Sequence, residues 1–240
     1  EELLGGIDLV VLSPGVSLYH PLVTAANSRG IQVVSEIEVA FRLCAAPIIA
    51  ITGTNGKTTT TALTGEMMKT TGRATVVGGN IGLALSQEVL GVPADGVVVA
   101  EISSFQLEAV ELFRPRIAAI LNLTPDHIDR HRTMAEYQAM KERVFANQTE
   151  EDFLVLNYDD PAVRDMASRT RARVFFFSRR ERLPAGAFVA DDRLVIQWDG
   201  IHTDLIPVKD IRIKGAHNVE NALAAAGAAW LAGAGETGIR

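Results

Sequence analysis

The feature that most constrains this chain is a glycine-rich segment, IIAITGTNGKTTTT, at residues 48–61. It joins an apolar run, Ile48–Thr52, which we predict to be a buried strand, to a predicted helix over Thr58–Thr71. A tight turn between a strand and a helix exposes backbone N–H groups at the positive end of the helix dipole, where anions bind. The segment therefore predicts a phosphate-binding loop over Gly53–Thr58.

The last two residues of this loop suit nucleotide chemistry. Lys57 would supply a cation to the β- and γ-phosphates, and the Thr58 hydroxyl would bind Mg²⁺. The spacing is G-x-x-G-K-T rather than the common G-x-x-x-x-G-K-[ST], because Ile51 stands where the first glycine would be. The alternative is a glycine turn that only connects strand to helix, but the Lys-Thr pair in this context favours a phosphate site.

The chain beyond the loop alternates apolar strands with helices, a pattern typical of a parallel sheet covered on both faces. After residue 185 it changes to short strands joined by polar turns, and Asp199 with Gly200 is a strong hairpin signal. We therefore predict an α/β fold, a mostly parallel sheet flanked by helices with a small antiparallel meander. The predicted strands are Val97–Ile102, Ile117–Leu123, Phe153–Asn157 and Val174–Ser178, then Phe188–Ala190, Leu194–Trp198 and Ile201–Ile206 in the meander.

Residues 1–46 have the pattern of a separate unit. The order strand, helix, strand, helix indicates the tail of a Rossmann-like domain, and residues 47–240 then form a central domain that ends in an alanine-rich helix over Asn218–Ala232. The chain begins without methionine, just ahead of a predicted strand, so we expect it to be a section of a longer protein.

Composition excludes several classes of function. The net charge is −6 and no basic run is long, which argues against a nucleic-acid partner. Cys44 is the only cysteine, so the chain forms no internal disulfide and no thiolate zinc cluster, and a reducing cytoplasm fits. No apolar stretch approaches the ~20 residues that span a bilayer. We expect a cytoplasmic protein with no membrane partner.

Two further residues have patterns that leave alternatives open. Glu101 stands near the end of a predicted strand, where ligands gather in open α/β sheets, and it would either bind Mg²⁺ or cap the following helix. Lys141 lies in the apolar stripe of a helix that Thr133 and Glu136 begin as a capping box. Periodicity alone favours a lysine that extends its ammonium to solvent over one that faces an ionic site.

The segment GTNGKTTT resembles the Mur ligase and folylpolyglutamate synthetase superfamily, and later segments resemble it too. TPDHIDR matches a D-H-x-D signature, in which His127, supported by Asp126 and Asp129, would bind metal or substrate. YQAMKER matches the position of a carbamoylated lysine, which implies that Lys141 is carbamoylated and helps to bind a second Mg²⁺. In GAHNVENALAA, Asn218 and Asn221 match adenine-binding residues, although an N-cap role for Asn218 is an alternative.

The resemblance also implies ligand sets and a domain assignment. Residues 1–46 would belong to a UDP-binding domain, and residues 47–240 to the central ATP-binding ligase domain. The implied ATP-binding residues are Gly53, Thr54, Asn55, Gly56, Lys57, Thr58, Thr59, Asn218 and Asn221. The implied metal ligands are Thr58, Glu101, His127 and Lys141, and the implied catalytic residues are Lys57, His127 and Lys141. The implied substrate-binding residues are Ser13, Pro14, Gly15, Asn80, Ser103 and Gln106.

One segment narrows the implied activity. EISSFQLE, from Glu101 to Glu108, is similar to the branch that adds D-glutamate to UDP-N-acetylmuramoyl-L-alanine through an acyl phosphate, in peptidoglycan precursor synthesis. The resemblance implies ATP, two Mg²⁺ ions and a monomeric enzyme. Two alternatives remain open: another ligase of the superfamily, such as one that polyglutamylates folate, and a phosphate-loop nucleotide-binding or kinase module with a different acceptor.

Overall fold

The computed structural model of the protein describes residues 2–125 and 133–240. Its strands are β1 (Leu9–Leu12), β2 (Gln32–Ser35), β3 (Ile48–Thr52), β4 (Thr75–Gly79), β5 (Val97–Glu101), β6 (Ile117–Ile120), β7 (Phe153–Asn157), β8 (Arg173–Ser178), β9 (Gly186–Ala190), β10 (Arg193–Trp198) and β11 (Ile201–Pro207). Its α-helices are α1 (Pro21–Ser28), α2 (Glu36–Leu43), α3 (Lys57–Lys69), α4 (Leu85–Glu88), α5 (Ser104–Leu107), α6 (Met134–Glu142), α7 (Pro161–Arg164), α8 (Ala216–Leu231) and α9 (Gly235–Ile239). Short 3₁₀ helices cover Glu2–Leu4, Val89–Gly91, Asp165–Arg169 and Val208–Asp210.

Nine strands form one sheet in the order β11-β10-β9-β8-β7-β6-β3-β5-β4. The pairs from β4 to β9 are parallel, and β9, β10 and β11 form the predicted antiparallel meander. Asp199 and Gly200 both have positive φ, 49° and 81°, as a two-residue hairpin turn requires. The predicted α/β fold is confirmed. The sequence did not indicate that β9 pairs with β8, which makes the meander an extension of the parallel sheet.

Helices cover both faces of this sheet because its central strands are apolar on both sides. Along β3, Ile48 and Ala50 face one core and Ile49 and Ile51 face the other, as the two-residue period of a strand requires. The first core also receives side chains from α2, α4, α6 and α7, and the second from α3, α8 and α9. Among the described residues, no helix has the length and apolar character needed to span a bilayer.

A separate two-stranded parallel sheet, β1 with β2, precedes the nine-stranded sheet. Helix α2 follows it, and its Ile37 and Ala40 lie in the first core of the larger sheet. The buried Glu38 carboxylate ties α2 to a turn beyond α5, because it accepts backbone N–H groups of residues 111–113 at 2.9–3.1 Å and the Arg42 guanidinium at 2.9 Å. Helix α2 is therefore fixed to the larger unit, and the division between residues 46 and 47 stays a prediction.

Candidate active site

The predicted phosphate loop lies between β3 and α3 at the carboxyl ends of the parallel strands. Gly56 immediately precedes α3 and has a φ of 86°, a left-handed conformation that glycine adopts at little cost. A Cβ at Gly56 would also overlap the side-chain oxygen of Asn221 on α8. Glycine at this position therefore permits both the turn and the close approach of α8 to the loop.

Lys57 folds its side chain back over the loop. Its Nζ donates hydrogen bonds to the carbonyl oxygens of Gly53, at 3.1 Å, and Thr54, at 2.8 Å. This places a cation directly above the backbone that would receive the β- and γ-phosphates. Hydrogen bonds from ammonium to charged phosphate oxygens are stronger than those to neutral carbonyls, so a bound nucleotide would compete well for Nζ.

Thr58 and Glu101 bring a hydroxyl and a carboxylate together beside the loop. Thr58 Oγ1 donates to Glu101 Oε2 at 2.7 Å, and Asn80 Nδ2 donates to Glu101 Oε1 at 2.9 Å. The backbone N–H of Asn80 also donates to the carbonyl of Glu101 at 2.8 Å. Glu101 is 2% exposed, whereas Thr58 and Asn80 are exposed. The buried carboxylate is therefore held from two sides, and its partners open to solvent.

This oxygen set fits a magnesium ion. Mg²⁺ in nucleotide sites is usually bound through one or two carboxylates or hydroxyls, with phosphate oxygens and waters completing the shell. Thr58 and Glu101 supply one ligand of each kind at the phosphate loop. Within residues 2–125 and 133–240, no group of three or more His, Cys, Asp or Glu side chains is arranged to hold a metal ion. An ion at Thr58 and Glu101 would therefore need phosphate oxygens or waters as further ligands. The alternative that Glu101 caps the next helix is wrong, since Ser103 is the N-cap of α5.

Lys141 is buried, so the interpretation that it extends to solvent is wrong. It is 1% exposed, and its Nζ donates to the carbonyl of Gly53 at 3.0 Å. The same Nζ lies 4.5 Å from the centre of the Tyr137 ring, and the Tyr137 hydroxyl is 3.3 Å from Thr54 Oγ1. Lys57 and Lys141 thus share one carbonyl acceptor. Thr133 is the N-cap of α6 as predicted, since its Oγ1 accepts from the backbone N–H of Glu136 at 3.2 Å, which is one of the two bonds of the predicted capping box.

A cleft of about 370 Å³ lies between the phosphate loop and the first turns of α8, beside the close approach of Gly56 to Asn221. This volume lies within the ~300–1,000 Å³ range of small-molecule sites. The residues that line it come from the loop, the end of β6 and α8: Asn55, Gly56, Asn122, His217, Glu220 and Asn221. Of the predicted adenine-binding pair, Asn221 therefore faces the cleft directly.

Asn218 supports its neighbour in this pair. Asn221 Nδ2 donates to Asn218 Oδ1 at 3.1 Å, and Asn218 Nδ2 donates to the Lys214 carbonyl at 2.8 Å. The alternative that Asn218 is an N-cap is wrong, because α8 begins at Ala216 and its N-cap is Gly215.

The predicted substrate-binding residues lie at the carboxyl ends of several strands. Ser103 and Gln106 form a capping box: Gln106 Oε1 accepts from the Ser103 backbone N–H at 2.9 Å, and Ser103 Oγ accepts from the Gln106 N–H at 3.3 Å. This cap gives both residues a structural role, and their contact with substrate stays a prediction. Ser13, Pro14 and Gly15 follow β1, in the separate two-stranded sheet. His127, with Asp126 and Asp129, lies outside the described residues.

Sequence reasoning missed Asn122, which holds the phosphate loop from the end of β6. Its Oδ1 accepts from the Asn55 N–H at 2.8 Å, and its Nδ2 donates to the Asn55 carbonyl at 3.0 Å. The available signal was its place directly after an apolar run that is parallel to β3, since polar residues at such strand ends meet at one edge of the sheet.

Comparison with known proteins gives a family match over most of the chain. A model described as the Mur ligase middle domain matches residues 51–229. A UDP-N-acetylmuramoylalanine–D-glutamate ligase of Caldanaerobacter subterraneus is 52% identical over 233 residues, which are 97% of this chain and 51% of that protein. The corresponding ligase of Alkaliphilus oremlandii is 52% identical over 94% of this chain and 50% of its own length. The chain thus spans about half the length of the curated relatives it matches.

Solved structures show the same fold at low sequence identity. The structure of a UDP-N-acetylmuramoyl-L-alanyl-D-glutamate–2,6-diaminopimelate ligase matches with a TM-score of 0.66 and 22% identity, covering 96% of this chain and 58% of that one. A UDP-N-acetylmuramate:L-alanyl-γ-D-glutamyl-meso-diaminopimelate ligase from Neisseria matches with a TM-score of 0.63 and 19% identity, over 97% of this chain and 78% of that one.

Proposed function

Because the chain belongs to the Mur ligase family, we propose that it is the ATP-binding core of a ligase that joins D-glutamate to UDP-N-acetylmuramoyl-L-alanine in peptidoglycan precursor synthesis. The observation that carries ATP use is the Thr58–Glu101 pair, at 2.7 Å, directly beside the Lys57 loop. The choice of D-glutamate is supported by relatives that bear that ligase's name and are 46–52% identical. The EISSFQLE segment gives further support.

The proposed reaction has two steps and uses no nucleophilic side chain. In the first, a carboxylate oxygen of UDP-N-acetylmuramoyl-L-alanine attacks the γ-phosphorus of ATP, the bond to the β,γ-bridging oxygen breaks, and ADP leaves. In the second, the amine of D-glutamate attacks the acyl carbon, loses a proton and expels inorganic phosphate. The protein's task is to neutralise crowded negative charge and to align the attacking oxygen. Lys57 meets the first need at the β- and γ-phosphates.

Thr58 and Glu101 would hold a Mg²⁺ ion at the phosphate loop. Such an ion withdraws charge from the transferred phosphoryl group. The Glu101 carboxylate is buried and already fixed by Asn80, so little reorganisation is needed when the ion binds. We further propose that His127 and Lys141 contribute to a second Mg²⁺ site.

Lys141 would take part in that site as a carbamate. A buried ammonium is costly, and Lys141 Nζ and Lys57 Nζ both bind the Gly53 carbonyl, so two like charges would lie within two hydrogen-bond lengths of each other. The neutral amine reacts with CO₂ by forming an N–C bond and releasing a proton. The product is an anion with two oxygens of the kind Mg²⁺ prefers.

The remaining assignments follow from position. The adenosine part would lie in the cleft by Asn218 and Asn221, and the Thr59 N–H would add to the loop's phosphate donors. The residues that would contact the UDP-muropeptide are Asn80, Ser103, Gln106 and Ser13–Gly15. Residues 1–46 would belong to the UDP-binding domain of the enzyme. We expect the enzyme to act as a cytoplasmic monomer, as the composition and the family resemblance imply.

The test is a substrate panel with the full-length gene product. We expect sustained ADP release only when UDP-N-acetylmuramoyl-L-alanine and D-glutamate are both present, with one amide product formed per ADP. L-Glutamate, L-lysine and folate substrates serve as controls. Ligation of glutamate to folate, or continuous ATP turnover in the absence of any amino acid, would contradict the proposal.

A further inference from the structure

The phosphate loop is held by the segment that follows β6. Leu121 N–H donates to the Thr52 carbonyl at 3.0 Å, and Thr54 N–H donates to the Asn122 carbonyl at 3.1 Å. Further along, Thr124 N–H donates to Thr54 Oγ1, also at 3.1 Å. The pairing between β3 and β6 therefore continues past the end of both strands and into the loop.

Thr54 is followed by Asn55, which is bonded to the side chain of Asn122 instead of to the backbone of that segment. The carboxamide makes two reciprocal bonds with one residue, 2.8 Å from the Asn55 N–H and 3.0 Å to the Asn55 carbonyl. An ionised aspartate supplies only acceptors, and a serine has a single oxygen on a shorter side chain, so neither can replace the carboxamide in this arrangement. Both peptide groups around Asn55 are thereby fixed, one residue before the left-handed Gly56 that starts α3.

We propose that Asn122 is a positioning residue that keeps the phosphate loop in its phosphate-binding conformation. This inference rests on the proposed function. Because the Asn55 N–H is already used by Asn122 Oδ1, the loop presents its other N–H groups, and the ammonium of Lys57, in a geometry set before the nucleotide arrives. Preorganisation of this kind raises affinity by removing the cost of ordering the loop upon binding.

The test compares Asn122→Ala with Asn147→Ala in this chain. Asn147 is a matched control, since its carboxamide likewise makes two bonds to backbone groups, in this case from Nδ2 to the carbonyls of Glu111 at 2.8 Å and Phe113 at 3.1 Å, before β6 and away from the loop. The probes are amide hydrogen exchange without nucleotide and the Kd of ADP with Mg²⁺. For Asn122→Ala we expect the Asn55 amide to lose its protection and the Kd to rise about tenfold, because two hydrogen bonds are removed. For Asn147→Ala we expect neither change.

The two readouts separate the possible outcomes. If hydrogen exchange at the Asn55 amide is unchanged in Asn122→Ala while the Kd of ADP rises, Asn122 contacts the nucleotide directly and the proposal is wrong. An unchanged Kd of ADP also contradicts the proposal. Should Asn122→Ala not fold, Asn122→Ser serves instead, since it is polar but too short to make both bonds, and the same results are expected. If the wild-type chain does not bind ADP, the proposed function is contradicted. Hydrogen exchange at the Asn55 amide would still test whether Asn122 holds the loop.

Discussion

The hydroxyl of Thr58 and the carboxylate of Glu101 are joined by a 2.7 Å hydrogen bond, although the two residues lie 43 positions apart. Their contact follows from the sheet order, in which β3 and β5 are parallel neighbours, so that the loop after β3 and the last residue of β5 meet at one edge. Burial of Glu101 fixes the carboxylate, and the exposed Thr58 leaves the pair accessible to an ion. The magnesium assignment depends on this relationship.

Glu101→Gln should weaken the use of Mg²⁺ without unfolding the protein. The amide keeps the size of the side chain and an acceptor for Thr58, but it removes the negative charge that attracts the ion. We expect the Mg²⁺ concentration for half-maximal ATP turnover to rise at least about tenfold in the full-length gene product. Glu66→Gln on the exposed face of α3 is the control. An unchanged Mg²⁺ dependence would show that Glu101 is not a ligand.

Lys57→Ala should abolish ATP turnover and leave the fold intact. The ammonium donates to the loop carbonyls of Gly53, at 3.1 Å, and Thr54, at 2.8 Å, and Lys57 belongs to neither apolar core, so its removal should leave the packing intact. We expect ADP release to fall by at least about a hundredfold, with a melting temperature close to that of the wild type. The matched variant Lys69→Ala, at the exposed end of the same helix, should keep full activity. Near-normal ADP release by Lys57→Ala would remove the phosphate-loop assignment.

Lys141 should be carbamoylated in the active enzyme. Under ¹³C-labelled CO₂, a carbamate signal should appear in the wild type and be lost in Lys141→Ala. That variant should lose most activity while it keeps its fold and appreciable nucleotide binding. Lys141→Arg should be inactive as well, because a guanidinium stays protonated and forms no carbamate. An active Lys141→Arg enzyme, together with the absence of a wild-type signal, would contradict the assignment. Lys209→Ala, an exposed lysine, controls for loss of charge.

Glu38 should make the stability of the protein depend on pH in the acid range. Burial opposes ionisation of this carboxyl, but the backbone N–H of Glu111, the guanidinium of Arg42 and the N–H groups of Leu112 and Phe113 outweigh burial and lower the pKa of Glu38 below its ordinary value of 4.5. A lowered pKa in the folded state stabilises the protein above the pKa of the unfolded chain. This contribution is lost as the pH falls through the folded-state pKa.

Glu38→Gln should therefore destabilise the protein at pH 7 by about 2 kcal/mol, the scale of hydrogen bonds to a charged group. The difference from the wild type in the free energy of unfolding should shrink as the pH falls below about 4.5, as urea titrations at a series of pH values will measure. The exposed Glu150→Gln should show neither effect. A pH-independent difference would mean that the bonds to Glu38 do not depend on its charge.

The sequence predicted those features of the fold and the site that depend on neighbouring residues. Strands β3 and β7 match their predicted bounds, because apolar runs are local signals. Lys57 and Thr58 were identified for the same reason, since the loop motif is contiguous.

Features that depend on packing between distant segments were not predictable in this way. Periodicity placed Lys141 in an apolar stripe and favoured an ammonium that reaches solvent, which is wrong, because the position of the ammonium depends on how closely α6 packs against the loop. Asn122 belongs to none of the motifs in the sequence, and its bond to Asn55 depends on the pairing of β3 with β6. The alternative that Asn218 is an N-cap was wrong by three residues, because the N-cap of α8 is Gly215 and the helix begins at Ala216.

Transfer of ¹⁸O tests the central claim, ligation through an acyl phosphate, most directly. The full-length gene product is supplied with ATP, D-glutamate and UDP-N-acetylmuramoyl-L-alanine in which both carboxyl oxygens are ¹⁸O. If that carboxylate attacks the γ-phosphorus and the amine then displaces phosphate, one labelled oxygen must leave with each inorganic phosphate. We predict one ¹⁸O per phosphate released, in step with the amide product, by mass spectrometry. Phosphate without label, while amide or ADP is still formed, would contradict the account.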